Sequence, residues 1–387
     1  MDFALTDSQE LIRKEVGALA RTFSLDYWLD KDDRAEYPHE FVKAFADNGW
    51  LGVMIPEEYG GAGLGVTEAA VMLHEICASG AGTSGASPIH FFVFPPTPII
   101  KYGTPQMKQK YLPRIATGEI VMAFGVTEPN AGTDTSRIQT RAVRRGDRWI
   151  VNGRKVWTTN AQHATKILLL ARTADRDPQK PLKGMTLFFA DLDRKAVSVR
   201  LIHKLGRAAV DSNEIVIENL EVPDADVVGE VGEGFYHLLD SLNPERIVVG
   251  IEAVGIGRAA LDRAVQYAKE RIVFDRPIGK NQAIAHPLAH AAAQLDAAEV
   301  MCWKASWLFD HGRPCGREAN TAKLLAAEAG FNACDAALQT FGGFGYAKEF
   351  YVERLWREIR LYKIAPVSQQ MALNYLAEHV LGLPRSY

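Results

Sequence analysis

The chain has 387 residues, 47% of them hydrophobic and 24% charged, with a formal net charge of −3. That is enough chain to bury more than one core, and the near-neutral balance gives no reason to expect nucleic acid or an anionic membrane as a partner. The four cysteines, Cys77, Cys302, Cys315 and Cys334, lack CxxC or His spacing, so no metal site is expected and the thiols read as reduced, in a cytoplasmic setting. No apolar run is long enough to span a bilayer. The N-terminus, MDFALTDSQELI, is helical in pattern without signal or transit character.

Thr6-Asp7-Ser8-Gln9 reads as a capping box, and Leu11, Ile12, Val16, Leu19 and Phe23 follow at helical spacing. Pro38 is placed to open a second helix through Phe41, Val42, Phe45 and Trp50. Gly52 to Gly65 reads as a loop, Thr67 to Ala78 as helix, with His74 as a structural residue. Thr104-Pro105 starts another helix through Met107, Tyr111, Leu112 and Ile115. From about Val121 to Val228 the period changes to two, in WIVNGRKVWTT, TKILLLART, GMTLFFADL and NEIVIENLEVP. Beyond Gly229 the helical pattern returns and lasts to Tyr387. The expected segments are therefore 1–120 helical, 121–228 β and 229–387 helical, rather than a βαβ repeat. No GxGxxG joins a strand to a helix, so a nicotinamide cofactor on a Rossmann unit is not expected.

Chemistry concentrates between Ala123 and Ala161. A turn-rich block, Thr127-Glu128-Pro129-Asn130-Ala131-Gly132-Thr133-Asp134, precedes a ribbon with turn signals at Gly146-Asp147 and Asn152-Gly153. It ends in Trp157-Thr158-Thr159. Strand alternation places Trp157 and Thr159 on one face, an indole wall beside a hydroxyl, suited to a flat hydrogen-bonding ring. Further on, Leu242-Asn243-Pro244-Glu245-Arg246 reads as a helix start, with Asn243 as N-cap and Pro244 in the first turn.

TEPNAGTD followed by WTTNA resembles the acyl-CoA dehydrogenase family, whose usual forms are TEP-x-AG-S/T-D and W-I-T-N/S. RIVFDRPIG with Gln282 is similar to the family's R-x-x-F-G-x-P-L/I…Q, with Asp275 in place of the usual Gly. QTFGGFGY and the Arg-rich stretch from Glu349 to Arg360 resemble its Q-x-x-GG-x-G-Y…E-x-x-V-E-R-x-x-R-D/E-x-R. The resemblance spans nearly the whole chain. It implies an N-terminal helical domain, a central β-barrel or sandwich and a C-terminal four-helix bundle, that is, an α+β multi-segment fold.

It also implies bound FAD. Phe124, Val126, Thr127, Gly132, Thr133, Trp157 and Thr159 would contact the cofactor, with Thr133 near the pantetheine or phosphate end of the substrate. Arg271, Phe274, Gln282, Gln339, Gly342, Gly343, Ser368 and Gln370 would contact it as well, some of them from a neighbouring subunit. A guanidinium such as Arg271 binds phosphate at two points, and glycines let backbone approach a pyrophosphate. A homo-oligomer, tetramer or dimer, is implied, as is an electron-transfer flavoprotein as electron acceptor. The implied reaction is α,β-dehydrogenation of an acyl-CoA, a carboxylate removing the α-proton while a hydride leaves for flavin N5.

The usual base is the Glu of I-Y-E-G-T. Here Arg360-Leu361-Tyr362-Lys363-Ile364-Ala365-Pro366-Val367-Ser368 puts Pro366 at that position. A minority of the family, including isovaleryl-CoA and long-chain dehydrogenases, carries the base just before an Arg on an earlier helix. Glu245-Arg246 fits that arrangement, so Glu245 is the expected base, with Asn243 and Arg246 toward substrate. Pro366 also lacks the N–H that would polarise the thioester carbonyl, a donor typically worth about 10²–10³ in rate. Two other functions stay open on this reading: a flavin monooxygenase or nitroalkane-oxidising enzyme on the same fold, or a non-catalytic FAD- or CoA-binding subunit.

Overall fold

The computed structural model describes residues 4–386. Seven helices come first: α1 (Asp7–Arg21), α2 (Leu25–Arg34), α3 (His39–Asp47), α4 (Val66–Ile76), α5 (Gly82–His90), α6 (Thr97–Tyr102) and α7 (Pro105–Ala116). The capping box at Thr6 forms, Thr6 and Gln9 each accepting from the other's backbone N–H. Three helices escape the sequence reading, α2, α5 and the short α6. The charged α2 is anchored by the fully buried Trp28. The α5 segment, GTSGASPIH, is made of poor helix formers, yet every one of its residues is buried. Tertiary contact imposes its shape. Glu358 accepts from the Thr83 N–H at 2.6 Å, the Thr83 hydroxyl at 2.8 Å and the Ser84 hydroxyl at 2.6 Å.

The strands are β1 (Met122–Gly125), β2 (Arg141–Arg145), β3 (Arg148–Thr159), β4 (Lys166–Arg172), β5 (Met185–Asp191), β6 (Val197–Leu201), β7 (Ser212–Pro223) and β8 (Val227–Val228). They form one eight-stranded sheet in the order β6-β7-β3-β2-β4-β5-β8, with β1 parallel to β4. β2 and β4 meet only at Arg141 and Arg172, so the sheet folds there into two leaves. Trp149, Val151, Ile215 and Ile217 of one leaf enclose a core with Ile167, Leu169 and Phe188 of the other. Leu168, Leu170, Leu187 and Phe189 point the opposite way, into the helical core. Burial on both faces explains why β4 and β5 read as continuous apolar runs.

Alternation fails at two places, the first between Val151 and Gly153. The β3–β7 ladder shifts register between Lys155 and Thr158, and Trp157 takes φ +62°. This bulge turns the indole outward, 57% exposed, while Thr159 is buried. The two-residue period expected to pair Trp157 with Thr159 on one face does not run through this point.

The chain then enters α8 (Gly234–Glu270), passes a hairpin of β9 (Ile272–Val273) and β10 (Arg276–Pro277), and continues as α9 (Gln282–Asp310), α10 (Gly316–Phe341), α11 (Val352–Ile359) and α12 (Gln369–Tyr375). Residues 243–245 do not begin a helix, contrary to the sequence reading. Pro244 lies inside the 37-residue α8, where it returns no N–H to the carbonyl four residues back. The apolar pattern through Phe235 and Leu238 carries the helix past it. α8 crosses α10 closely, since a side-chain carbon on Gly257 would stand 3.0 Å from the Gly330 backbone. The Arg-rich α11 ties the helical segments together. The buried Arg354 binds Glu358 at 2.8 Å and the Ala81 carbonyl at 3.1 Å, and Arg357 reaches Asp32 of α2 at 2.7 Å.

Candidate active site

The turn-rich block is held from behind by a buried ion pair. Glu128 accepts from the N–H groups of Gln139 at 2.6 Å and Thr140 at 2.9 Å, and from Lys155 Nζ at 2.8 Å. Lys155 also donates to the Val126 carbonyl at 3.0 Å, and the Val156 N–H to the Thr127 carbonyl at 2.9 Å. Burial pushes Glu128 up, but Lys155 and these hydrogen bonds outweigh it and hold the carboxyl below its ordinary value. Burial pulls Lys155 down to about 8 against the opposing pull of Glu128. The pair thus fastens Val126 and Thr127 to the start of the bulge at Trp157. Sequence reading passed over both residues, although a Lys inside a strand pattern beside a Trp was the available signal.

Phe124, Val126 and Thr127 are half-buried along this edge. Thr159 accepts from Arg207 Nη2 at 3.3 Å, which leaves its own O–H free to donate. Arg207, at φ +58°, also binds Ser212 at 2.9 Å and Ser87 of α5 at 3.1 Å. It joins the β face to the helices and was not foreseen. Thr158 Oγ1, both side-chain polar atoms of Asn160 and Arg207 Nε are buried without a hydrogen-bond partner. An outward indole, free hydroxyls and unsatisfied donors and acceptors on one edge fit a flavin ring.

Glu245 lies inside α8, 7% exposed. Burial raises its carboxyl to about 7, while His90, Arg246 and Lys323 pull it down and Glu252 pushes it up. It does not sit at a helix N-terminus, so no helix end opposes this rise. His90, the last residue of α5, donates through Nδ1 to Glu252 Oε1 at 2.8 Å, and Tyr362 donates to the other oxygen of Glu252. Burial lowers the His90 imidazole, but Glu252 and Glu245 outweigh it and raise it. Ring contacts lead from His90 to Phe94 at 5.0 Å and from Phe94 to Phe124 at 5.2 Å. A line of ring contacts therefore runs from the candidate flavin edge to His90, whose charge acts on the Glu245 carboxyl.

Asn243 accepts from Arg246 at 3.1 Å, and Arg246 lines a cavity of about 270 Å³ of mixed character, with Asn320, Asn374 and Glu378 beside Val367 and Met371. Burial lowers the Arg246 guanidinium. The loop carrying Pro366 is pinned by the buried Lys323, which donates to the Tyr362 carbonyl at 2.7 Å and to that of Val367.

The remaining expected cofactor residues gather elsewhere. Gly132 and Thr133 are exposed on the turn-rich block. Arg271 lies 5.6 Å from the Phe344 ring, so the hairpin meets the glycine stretch after α10. Phe274 and Asp275 both take positive φ at the hairpin tip, the conformation that the family's Gly would adopt there without strain. Gln282, Gln339, Gly342 and Gly343 are exposed, and a side chain on either glycine would meet nothing within 4 Å. Ser368 caps α12, accepting from the Met371 N–H at 3.3 Å, and Gln370 is exposed.

Three family models match in succession: "Acyl-CoA dehydrogenase, N-terminal domain" over residues 6–119, "middle domain" over 123–220 and "C-terminal domain" over 232–381. Acyl-CoA dehydrogenase FadE12 of Mycobacterium tuberculosis is 37% identical over 391 residues, spanning 100% of this chain and 99% of its own. The 3-(aryl)acrylate reductase of Clostridium sporogenes is 38% identical over 383 residues, 97% of this chain and 99% of its own. Among solved structures, butyryl-CoA dehydrogenase from Megasphaera elsdenii superposes with a TM-score of 0.93 at 30% identity, covering 98% of this chain and 100% of that one.

Proposed function

The chain belongs to the acyl-CoA dehydrogenase family, and from that premise we propose that it converts an acyl-CoA thioester to the 2-enoyl-CoA with Glu245 as the base. It is an oxidoreductase with FAD as cofactor. The observation that carries the base assignment is a buried carboxyl raised to about 7, in a chain with Pro366 at the family's usual base position. A base works best when its pKa lies near the working pH.

Glu245 takes the α-proton, and burial ensures that the protonated product state is not penalised by lost hydration. FAD, when bound, supplies the acceptor for the β-hydrogen. Phe124, Val126, Thr127, Trp157 and Thr159 would hold its ring, with Lys155 and Glu128 fixing that edge. Gly132 belongs to the same edge. Asn243, Arg246 and Thr133 are assigned to the CoA end of the substrate, where the cavity beside Arg246 suits its phosphates and amides. Arg271, Phe274, Gln282, Gln339, Gly342, Gly343, Ser368 and Gln370 are assigned to cofactor contacts completed by a second copy of the chain, which accounts for their exposure in one copy. An electron-transfer flavoprotein is assigned as the acceptor.

The test is anaerobic titration with a panel of straight and branched acyl-CoAs, following flavin absorbance, with Glu245→Gln beside wild type. Wild type should bleach and the variant should not. Bleaching that survives the substitution removes the base assignment. No bleaching with any thioester removes the dehydrogenase reading. A carboxyl near 7 can also carry the proton needed for the reverse reaction, reduction of an enoyl thioester. Reoxidation of the reduced enzyme by an enoyl-CoA measures that direction.

A further inference from the structure

Glu245 and Glu252 are seven residues apart on α8, so they share one face, roughly 10 Å apart along the axis. Both side chains lean toward the N-terminus by the same rule, so this axial spacing is kept. Its carboxylate is 1% exposed and is engaged by His90 at one oxygen and Tyr362 at the other. His90 is 6% exposed, and Phe94 packs between it and Phe124. His90, Glu252 and Tyr362 therefore form one buried, hydrogen-bonded group on the face of α8 that carries Glu245, linked through Phe94 to Phe124.

One helical turn further on, a side-chain carbon on Gly255 would stand 2.6 Å from the His74 carbonyl and 2.7 Å from Cys77 Cβ. α8 is there in direct backbone contact with the end of α4. The cavity beside Arg246 is assigned to the CoA end of the substrate. An acyl chain with its α-carbon at Glu245 must then run toward Glu252. An apolar terminus pressed against this buried, hydrogen-bonded group gains no partner and would have to displace it.

We propose that His90, Glu252 and Tyr362 form the floor of the acyl channel and restrict the enzyme to short-chain acyl thioesters. This rests on Glu245 as the base of an acyl-CoA dehydrogenase. The floor acts by occupying space, and the helix contact at Gly255 sets the limit to which removing it can lengthen the channel.

The measurement is kcat/KM for butanoyl-, hexanoyl-, decanoyl- and hexadecanoyl-CoA, with the FAD content of each preparation recorded. Wild type should prefer the two short substrates to hexadecanoyl-CoA by roughly 100-fold or more, several methylenes each adding discrimination. His90→Ala/Glu252→Ala should raise the decanoyl-to-butanoyl ratio by about 10-fold or more, chiefly through KM, and leave hexadecanoyl-CoA excluded. The volume-conserving Glu252→Gln should keep the wild-type ratio. Wild type that uses hexadecanoyl-CoA as well as butanoyl-CoA overturns the proposal. So does an unchanged ratio in a double-alanine variant that retains FAD. If that variant does not fold, the wild-type profile decides alone. Flavin bleaching with a flat chain-length profile separates failure of the floor from failure of the dehydrogenase reading, in which no thioester bleaches.

Discussion

A carboxyl that titrates near neutrality inside a helix pulls activity and stability in opposite directions. Glu245 is raised from 4.5 to about 7 by burial. As a base it must be ionised, so kcat/KM should climb with pH through about 7 and be lost below it, which a pH–rate profile checks. The folded chain holds this proton more tightly than the unfolded one. Between about 4.5 and about 7 the native state therefore binds more protons, and stability falls as pH rises through that window. Glu245→Gln should accordingly be more stable than wild type at about pH 8, by up to about 3 kcal/mol, and the gap should close near pH 5. Melting temperatures of both proteins at the two pH values measure this. The residue was legible in the sequence through its place before Arg246. Its environment was not, because Asn243-Pro244 has the composition of a helix start and only the packing of α8 shows that the helix has already begun.

At the scale of elements, two segments hold their shape through charges contributed by distant parts of the chain. Lys155→Met leaves Glu128 buried without its cation and should cost about 3–5 kcal/mol, with lower FAD retention because Val126 and Thr127 lose their anchor. Urea unfolding and flavin absorbance report the two effects. Adding Glu128→Gln should recover part of the stability, since the stranded charge is gone. The second segment is α5, whose Gly, Ser and Pro residues oppose a helix. Glu358→Ala removes the acceptor for Thr83 and Ser84 and leaves Arg354 unpaired. A loss of about 3–5 kcal/mol is expected, read in the same unfolding experiment. Periodicity revealed α1, α4 and α7 because each has a cap or an apolar stripe of its own. α5 has neither, and its helix exists because Glu358, far along the chain, satisfies its first N–H groups.

Across the whole molecule, the two most exposed large apolar side chains among the described residues sit on the hairpin and the glycine stretch, Phe274 at 92% and Tyr346 at 85%. Ile272 and Phe344 are exposed beside them. Patches of this kind mark contact surfaces, and here they carry the cofactor residues assigned to the shared site. Light scattering should give a multiple of the 42.7 kDa chain mass. Phe274→Ser/Tyr346→Ser should lower that multiple and the bound FAD together. A stable single chain with full FAD content would remove the shared-site assignment. Among the described residues no helix is long and apolar enough to cross a membrane.

The order of helices, strands and helices was determined by the sequence alone, because periods of 3.6 and two follow from backbone geometry and need no partner. The turn-rich block, the Trp157 stretch and Glu245 were visible for a similar reason, each being a local pattern. The tertiary structure decided what surrounds them. The outward turn of Trp157 comes from a register shift against β7, and the support of Val126 from a lysine facing Glu128 across a loop. The surroundings of Glu245 come from His90, Glu252 and Lys323, on three different helices. Burial and the charges of distant residues set the pKa of Glu245, and that quantity is not a property of any one stretch of chain.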